Sequence, residues 1–119
     1  MLQSQSSKHY DLEERTLLFA QKIRQFTKKL PRSLINLQDI PQLIRSSGSV
    51  GANYIEANEA VSKKDFVHRI KISRKEAKES KYWLMLIEVN SNDEEERGSL
   101  LQEATELMMI LSAIMRKSQ

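Results

Sequence analysis

Apolar residues recur at helical spacing along nearly the whole chain. Leu12, Phe19, Ile23, Phe26 and Leu30 share one face of a first helix over residues 11–30, with Asp11, Glu13 and Glu14 at its positive end and Pro31 as its stop. Residues 32–38 read as a connector. A second helix is expected from Asp39 as N-cap, with Pro41 tolerated in its first turn, to about Glu59. A third opens at Ser62, where Asp65 three residues on resembles a capping box, and runs to about Val89. After Asn90-Ser91-Asn92, the acidic turn Asp93-Glu94-Glu95-Glu96 begins a fourth helix ending near Arg116-Lys117. Four helices joined by short loops predict an all-α, antiparallel up-down-up-down bundle over residues 9–119. Residues 1–8, polar and rich in Ser and Gln, are expected to be a disordered tail.

The third helix carries the cleanest pattern. Phe66, Ile70, Ser73, Ala77, Ser80, Leu84 and Ile87 alternate steps of four and three, the seam of a left-handed bundle, and the middle of that seam is small. The second helix is unusual in a related way: Ser47, Gly48, Gly51 and Ala52 stand where a bundle helix normally places Leu. Each interior Gly costs about 1 kcal/mol relative to Ala. A neighbouring backbone packed unusually close offsets that cost, and the small seam of the third helix is the expected neighbour. The fourth helix is apolar over a wide arc (Leu100, Leu101, Leu107, Met108, Ile110, Leu111, Ile114, Met115), broader than one seam needs, which suits an oligomer interface or a compact bundle helix.

A chain of 119 residues without cysteine fits one domain that needs no disulfide or thiolate metal site. The N-terminus lacks the basic start and apolar run of a signal peptide, and no apolar stretch is long enough to span a bilayer. A cytoplasmic location is therefore expected.

Arg45-Ser-Ser-Gly-Ser-Val-Gly-Ala-Asn-Tyr-Ile-Glu-Ala-Asn58 with Gln42-Leu-Ile before it, then Lys64-Asp-Phe66, Ile72-Ser-Arg-Lys-Glu-Ala-Lys-Glu79 and Tyr82-Trp-Leu84, resembles the bacterial four-helix-bundle proteins related to the 23S rRNA intervening-sequence protein. The resemblance is carried by residues 42–84, and the helix order extends it across the chain. It implies a ring-like homopentamer. A related branch, the accessory proteins of diversity-generating retroelements, implies binding to nucleic acid and to a reverse transcriptase, although the Ala-Asn-Tyr-Ile-Glu-Ala stretch is closer to the free-standing bundle proteins.

The chemistry-bearing patterns narrow the function. Glu56/Glu59, Asp65/His68 and Glu76/Glu79 have metal-compatible spacing, yet a di-iron bundle needs two Glu-x-x-His pairs, and the chain has only His9 and His68. No metal and no cofactor are expected. Without Cys, a phosphate-binding Gly loop or a credible Ser-His-Asp set, enzymatic activity is not expected either. Arg45, Asn53, Glu56 and Glu79 are expected to form a polar network that specifies packing. If that network is buried, Glu79→Ala removes ~3 kcal/mol or more; the alternative is solvated surface charge.

Charge is strongly segregated. Residues 63–81 hold eight basic against three acidic side chains, leaving +5, while residues 93–106 hold six acids against Arg97, leaving −5. Over the whole chain the net charge is only +3. Lys64, Lys71, Arg74, Lys75 and Lys78 are the expected phosphate contacts of a face that binds RNA or DNA. The competing readings are a solvated face, one paired with the acidic start of the fourth helix, and a multivalent protein-interaction scaffold. Tyr82 and Trp83 adjoin the basic stretch and are expected to pack in the core or at an interface, not to stack on bases.

Overall fold

The computed structural model describes residues 11–119, so the tail expected at residues 1–8 lies outside the described residues. Four helices follow in order: α1 (Leu12–Thr27), α2 (Leu34–Asn58), α3 (Lys63–Leu86) and α4 (Glu94–Ser118), the last entered through a 3₁₀ turn at Ser91–Asp93. There is no strand among the described residues. Successive helices run in opposite directions. Asn58 at the end of α2 meets Glu13 at the start of α1 (3.1 Å), and Arg15 of α1 and Lys29 just after it reach Glu103 and Glu96 of α4 in antiparallel register.

The starts of α1, α2 and α3 are capped by a short polar side chain where the first-turn amides lack partners, whereas Asp93 before α4 makes no such bond. Asp11 accepts the Glu14 N–H at 2.8 Å, Ser33 the Asn36 N–H at 3.1 Å and Ser62 the Asp65 N–H at 3.0 Å. The α2 cap at Ser33 corrects the expected N-cap at Asp39 by six residues. Pro41 sits well inside the helix and not in its first turn. Its missing N–H removes the i+4 donor for the Leu37 carbonyl, but that turn faces solvent, with Leu34, Leu37 and Pro41 all exposed. Helix α1 ends at Thr27 and α3 at Leu86, each three residues before the expected stop.

Phe19, Ile23 and Phe26 of α1, Leu43 and Val50 of α2, Ile70, Ala77 and Leu84 of α3, and Leu100, Leu107 and Leu111 of α4 make the buried core. The α3 seam is as the spacing predicts: Ile70, Ser73, Ala77, Ser80, Leu84 and Ile87 are buried, with Phe66 packed at its edge. Helices α2 and α3 do approach closely. The Ser73 hydroxyl donates to the Val50 carbonyl at 2.6 Å, and the Ser80 and Ser46 hydroxyls lie 3.0 Å apart.

The glycines serve a different neighbour from the one expected. A Cβ on Gly51 would stand 2.8 Å from Thr16 Oγ1, and one on Gly48 would stand 3.2 Å from the Arg24 guanidinium, so both face α1. Ala52 is exposed. Residues 48, 51 and 55 form one stripe along α2, while 46, 50 and 53 form the adjacent stripe toward α3. The same helix thus presents glycine to α1 and serine to α3.

Candidate functional site

The long axis of α3 has a polar outer face because its seam consumes only one side of the helix. Lys64, Lys71, Lys75 and Lys78 are exposed, and Arg74 is half-buried beside them. Lys71, Lys75 and Lys78 follow one another at four- and three-residue steps and therefore stand in one line. Arg74 turns toward α4, where it lines a cleft of about 300 Å³ with Lys75, Lys78, Met108 and Ser112. None of these five cations forms an ion pair among the described residues.

The acidic start of α4 is engaged elsewhere. Lys29, in the turn after α1, pairs with Glu96 and lies 4.0 Å from Asp93, and Arg97 pairs with Glu94 at 2.8 Å. Farther along, Arg15 binds Glu103 at 2.8 Å and Glu106 at 2.7 Å, and their two negative charges hold the Arg15 guanidinium protonated more firmly than usual. Among the described residues, the basic face does not pair with these acids.

The expected polar network is only partly assembled. Arg45 binds Glu79 directly and lies 3.3 Å from Glu76, whose part the spacing did not assign. Glu79 Oε2 also accepts the Trp83 indole N–H at 2.9 Å. Asn53 is not in this cluster: it donates to the Ser49 carbonyl at 2.9 Å and accepts from Arg69 at 3.3 Å. Glu56 is exposed and joins neither group. Nor is the cluster buried, since the side chains of Arg45 and Glu79 are 47% and 36% exposed. Arg45 lies on the outer rim between α2 and α3, where the stripe that meets α3 turns into solvent. The expected loss of ~3 kcal/mol for Glu79→Ala is corrected accordingly, to under about 1 kcal/mol after solvent screening.

Tyr82 departs from the packing role expected of it within this chain. It is 53% exposed, whereas Trp83 packs against the core. The two rings meet edge to face, with centroids 5.1 Å apart and planes at 73°.

No group of three His, Asp or Glu side chains converges as a metal cluster among the described residues. Of the expected capping box at Ser62, only the bond from the Asp65 N–H to Ser62 Oγ is formed. No described helix is long and apolar enough to cross a membrane.

Comparison with known proteins gives a family match over residues 8–113, described as the 23S rRNA-intervening sequence protein. The chain belongs to that family. It is also similar in structure to a protein of unknown function from the S23 ribosomal protein family of Bacteroides thetaiotaomicron VPI-5482, whose crystal structure was determined at 1.70 Å. That similarity has a TM-score of 0.77 and 31% sequence identity, and covers 88% of this chain and 98% of the other. No curated protein matches the chain.

In this member of the 23S rRNA-intervening sequence protein family, the rim cluster makes a small, pH-dependent contribution to stability. Burial pushes the Glu79 carboxyl up, but the bonds from Trp83 and Arg45, with the charges of Arg45 and Lys75, together hold it below the usual glutamate range. A lowered folded-state value stabilises fully above the ordinary value of about 4.3 and loses its contribution as pH falls through the depressed one. Thermal unfolding of Glu79→Gln is therefore expected to trail wild type slightly at pH 7 and to converge with it in acid below the ordinary glutamate range. A constant gap across that range would mean that the pair does not titrate as described.

Proposed function

We propose that this protein is a non-enzymatic, ring-forming bundle that binds RNA or DNA through phosphate contacts from Lys64, Lys71, Arg74, Lys75 and Lys78. One observation carries the reading. Seven of the sixteen acids, among them five of the six at the start of α4, pair with Arg15, Lys29, Arg45 or Arg97, while among the described residues the α3 stripe keeps its cations unpaired and in line. Residues 1–10 contain no Asp or Glu to neutralise it. A row of lysines on a rigid helix releases counterions when it meets a polyanion, and this drives binding without sequence readout. The family's name, which refers to 23S rRNA, agrees in kind with such a partner.

The ring, with the cytoplasmic location, belongs to the same proposal. A homopentamer follows from the family resemblance, and half-buried Met108, Ile110, Ile114 and Met115 with exposed Met109 supply apolar surface on α4 for subunit contacts. A ring would repeat the basic stripe and raise avidity without a new contact. Sedimentation of the full chain is expected to give a pentamer, and a monomer would remove the ring.

The binding test is a titration of labelled RNA and duplex DNA at two salt concentrations. Affinity is expected to fall steeply with salt, with a slope of about 0.9 per duplex phosphate neutralised. Replacing Lys71, Lys75 and Lys78 together with Glu is expected to flatten that slope and abolish binding at moderate salt. If wild type binds neither nucleic acid at low salt, the second reading takes over: a multivalent scaffold for a protein partner. That reading is favoured by the exposed apolar side chains Leu34, Ile35, Leu37, Met85 and Leu86. They gather at the end of the bundle where Asn36 joins the chain after α3.

A further inference from the structure

We infer that Tyr82 is a stacking platform for an unpaired base, which makes the α3 face selective for single-stranded nucleic acid over duplex. The inference rests on the nucleic-acid reading above and goes beyond it by assigning a residue and a strand form. Lys71, Lys75, Lys78 and Tyr82 stand at steps of four, three and four, so the tyrosine continues the lysine line on the outer face. Lys78 precedes it by about 6 Å of helix rise and Lys75 by about 10 Å. A strand whose phosphates follow the lysines therefore brings its next base to the ring.

The ring is both open and held. Edge-to-face contact with Trp83 occupies at most one face of either ring, and with Tyr82 53% exposed, one of its faces remains accessible. Trp83 is itself fixed by its indole N–H on Glu79, which Arg45 of α2 holds in turn. The rim cluster thereby acquires a purpose other than stability: it positions the tryptophan against which Tyr82 rests. A flexible aromatic would lose rotamer freedom on stacking, whereas a propped one has already lost part of it. Duplex cannot use the ring, because its base faces are already stacked, and it binds through its phosphates on the lysines alone. A phosphate line with an adjacent ring is the combination by which proteins grip single strands without reading sequence.

The test uses the full-length protein with short labelled single-stranded RNA, single-stranded DNA and the matching duplex, in wild type, Tyr82→Ala and Tyr82→Phe. Wild type is expected to prefer both single strands to duplex. Tyr82→Ala is expected to bind single strands about tenfold more weakly while leaving duplex affinity and the salt slope unchanged, since a stacking contact neutralises no phosphate. Tyr82→Phe keeps the ring and should match wild type. The inference fails, and the phosphate reading survives, if Tyr82→Ala binds single strands as wild type does while the lysine reversals abolish binding. It fails equally if Tyr82→Ala changes the sedimentation size, which would make the ring a contact between subunits. If wild type binds no nucleic acid, both readings fail together.

Discussion

Replacing Asn36 with leucine is expected to destabilise the fold by about 4 kcal/mol, although the two side chains are similar in size. Asn36 is buried in the first turn of α2, and its carboxamide joins the loops at one end of the bundle. Its amide nitrogen donates to the carbonyls of Pro31 and Glu88, each at 2.8 Å, and its oxygen accepts the Glu88 N–H at 2.8 Å. These three backbone groups lie outside the helices and take from one side chain the partners a helix would have supplied. Leucine fills the space but leaves all three unpaired, at about 1–3 kcal/mol for each that water cannot reach. Glu88 is exposed, so water recovers part of that loss and the total falls below the sum. Asn36→Asp is expected to recover little, because its second oxygen would oppose two carbonyls. Urea unfolding followed by circular dichroism measures both variants. A loss below about 1 kcal/mol for the leucine variant would show that something else holds the loops.

Asn36 also illustrates what the sequence concealed. The segment reads as a connector because Asp39 followed by Pro41 resembles a helix start. Nothing in the spacing says that Pro41 falls on a solvent-facing turn, where its missing donor is cheap. By contrast, the helical periods of α1 and α4 and the full α3 seam were legible, because each depends only on which residues share a face. Which neighbour a face meets is another matter. The glycine stripe of α2 was recognised as a close-packing surface but assigned to α3, since adjacent stripes on one helix differ by a residue and the sequence does not state how the bundle turns. The candidate site divides in the same way. The lysine line was readable from its period, and the Arg45–Glu79 pair from its charges. The burial of that pair was not, nor was the exposure of Tyr82, which lies between buried Ser80 and Leu84 and reads as core. Glu56 reads as part of the network from its near-helical spacing to Arg45 and Ala52, whereas the helix carries it to the outer surface.

The same glycine stripe yields a contrast between two residues three positions apart. Gly51→Leu is expected to lower stability by about 3 kcal/mol, and Gly51→Ala by about 1–2 kcal/mol despite the helix propensity gained. A Cβ at this position would lie 2.8 Å from Thr16 Oγ1, 3.1 Å from Thr16 Cβ and 3.7 Å from the Thr16 backbone carbon. Thr16 cannot easily retreat. It is buried, its branched side chain has few rotamers in a helix, and its hydroxyl is bonded back to the carbonyls of Leu12 and Glu13 at 2.9 and 3.0 Å. Room for the methyl must come from moving α1 as a body, which loosens Phe19 and Ile23 behind it. Gly48→Ala faces only the end of the exposed Arg24 side chain, which can swing away, so it is expected to be neutral or to stabilise by up to ~1 kcal/mol. A double-mutant cycle identifies the cause. In a Thr16→Ala background the 2.8 Å contact is gone and those at 3.1 and 3.7 Å remain, so Gly51→Ala should cost markedly less there than in wild type. Equal costs in the two backgrounds would mean that the glycine answers to helix geometry alone, and that the approach of α1 does not depend on it.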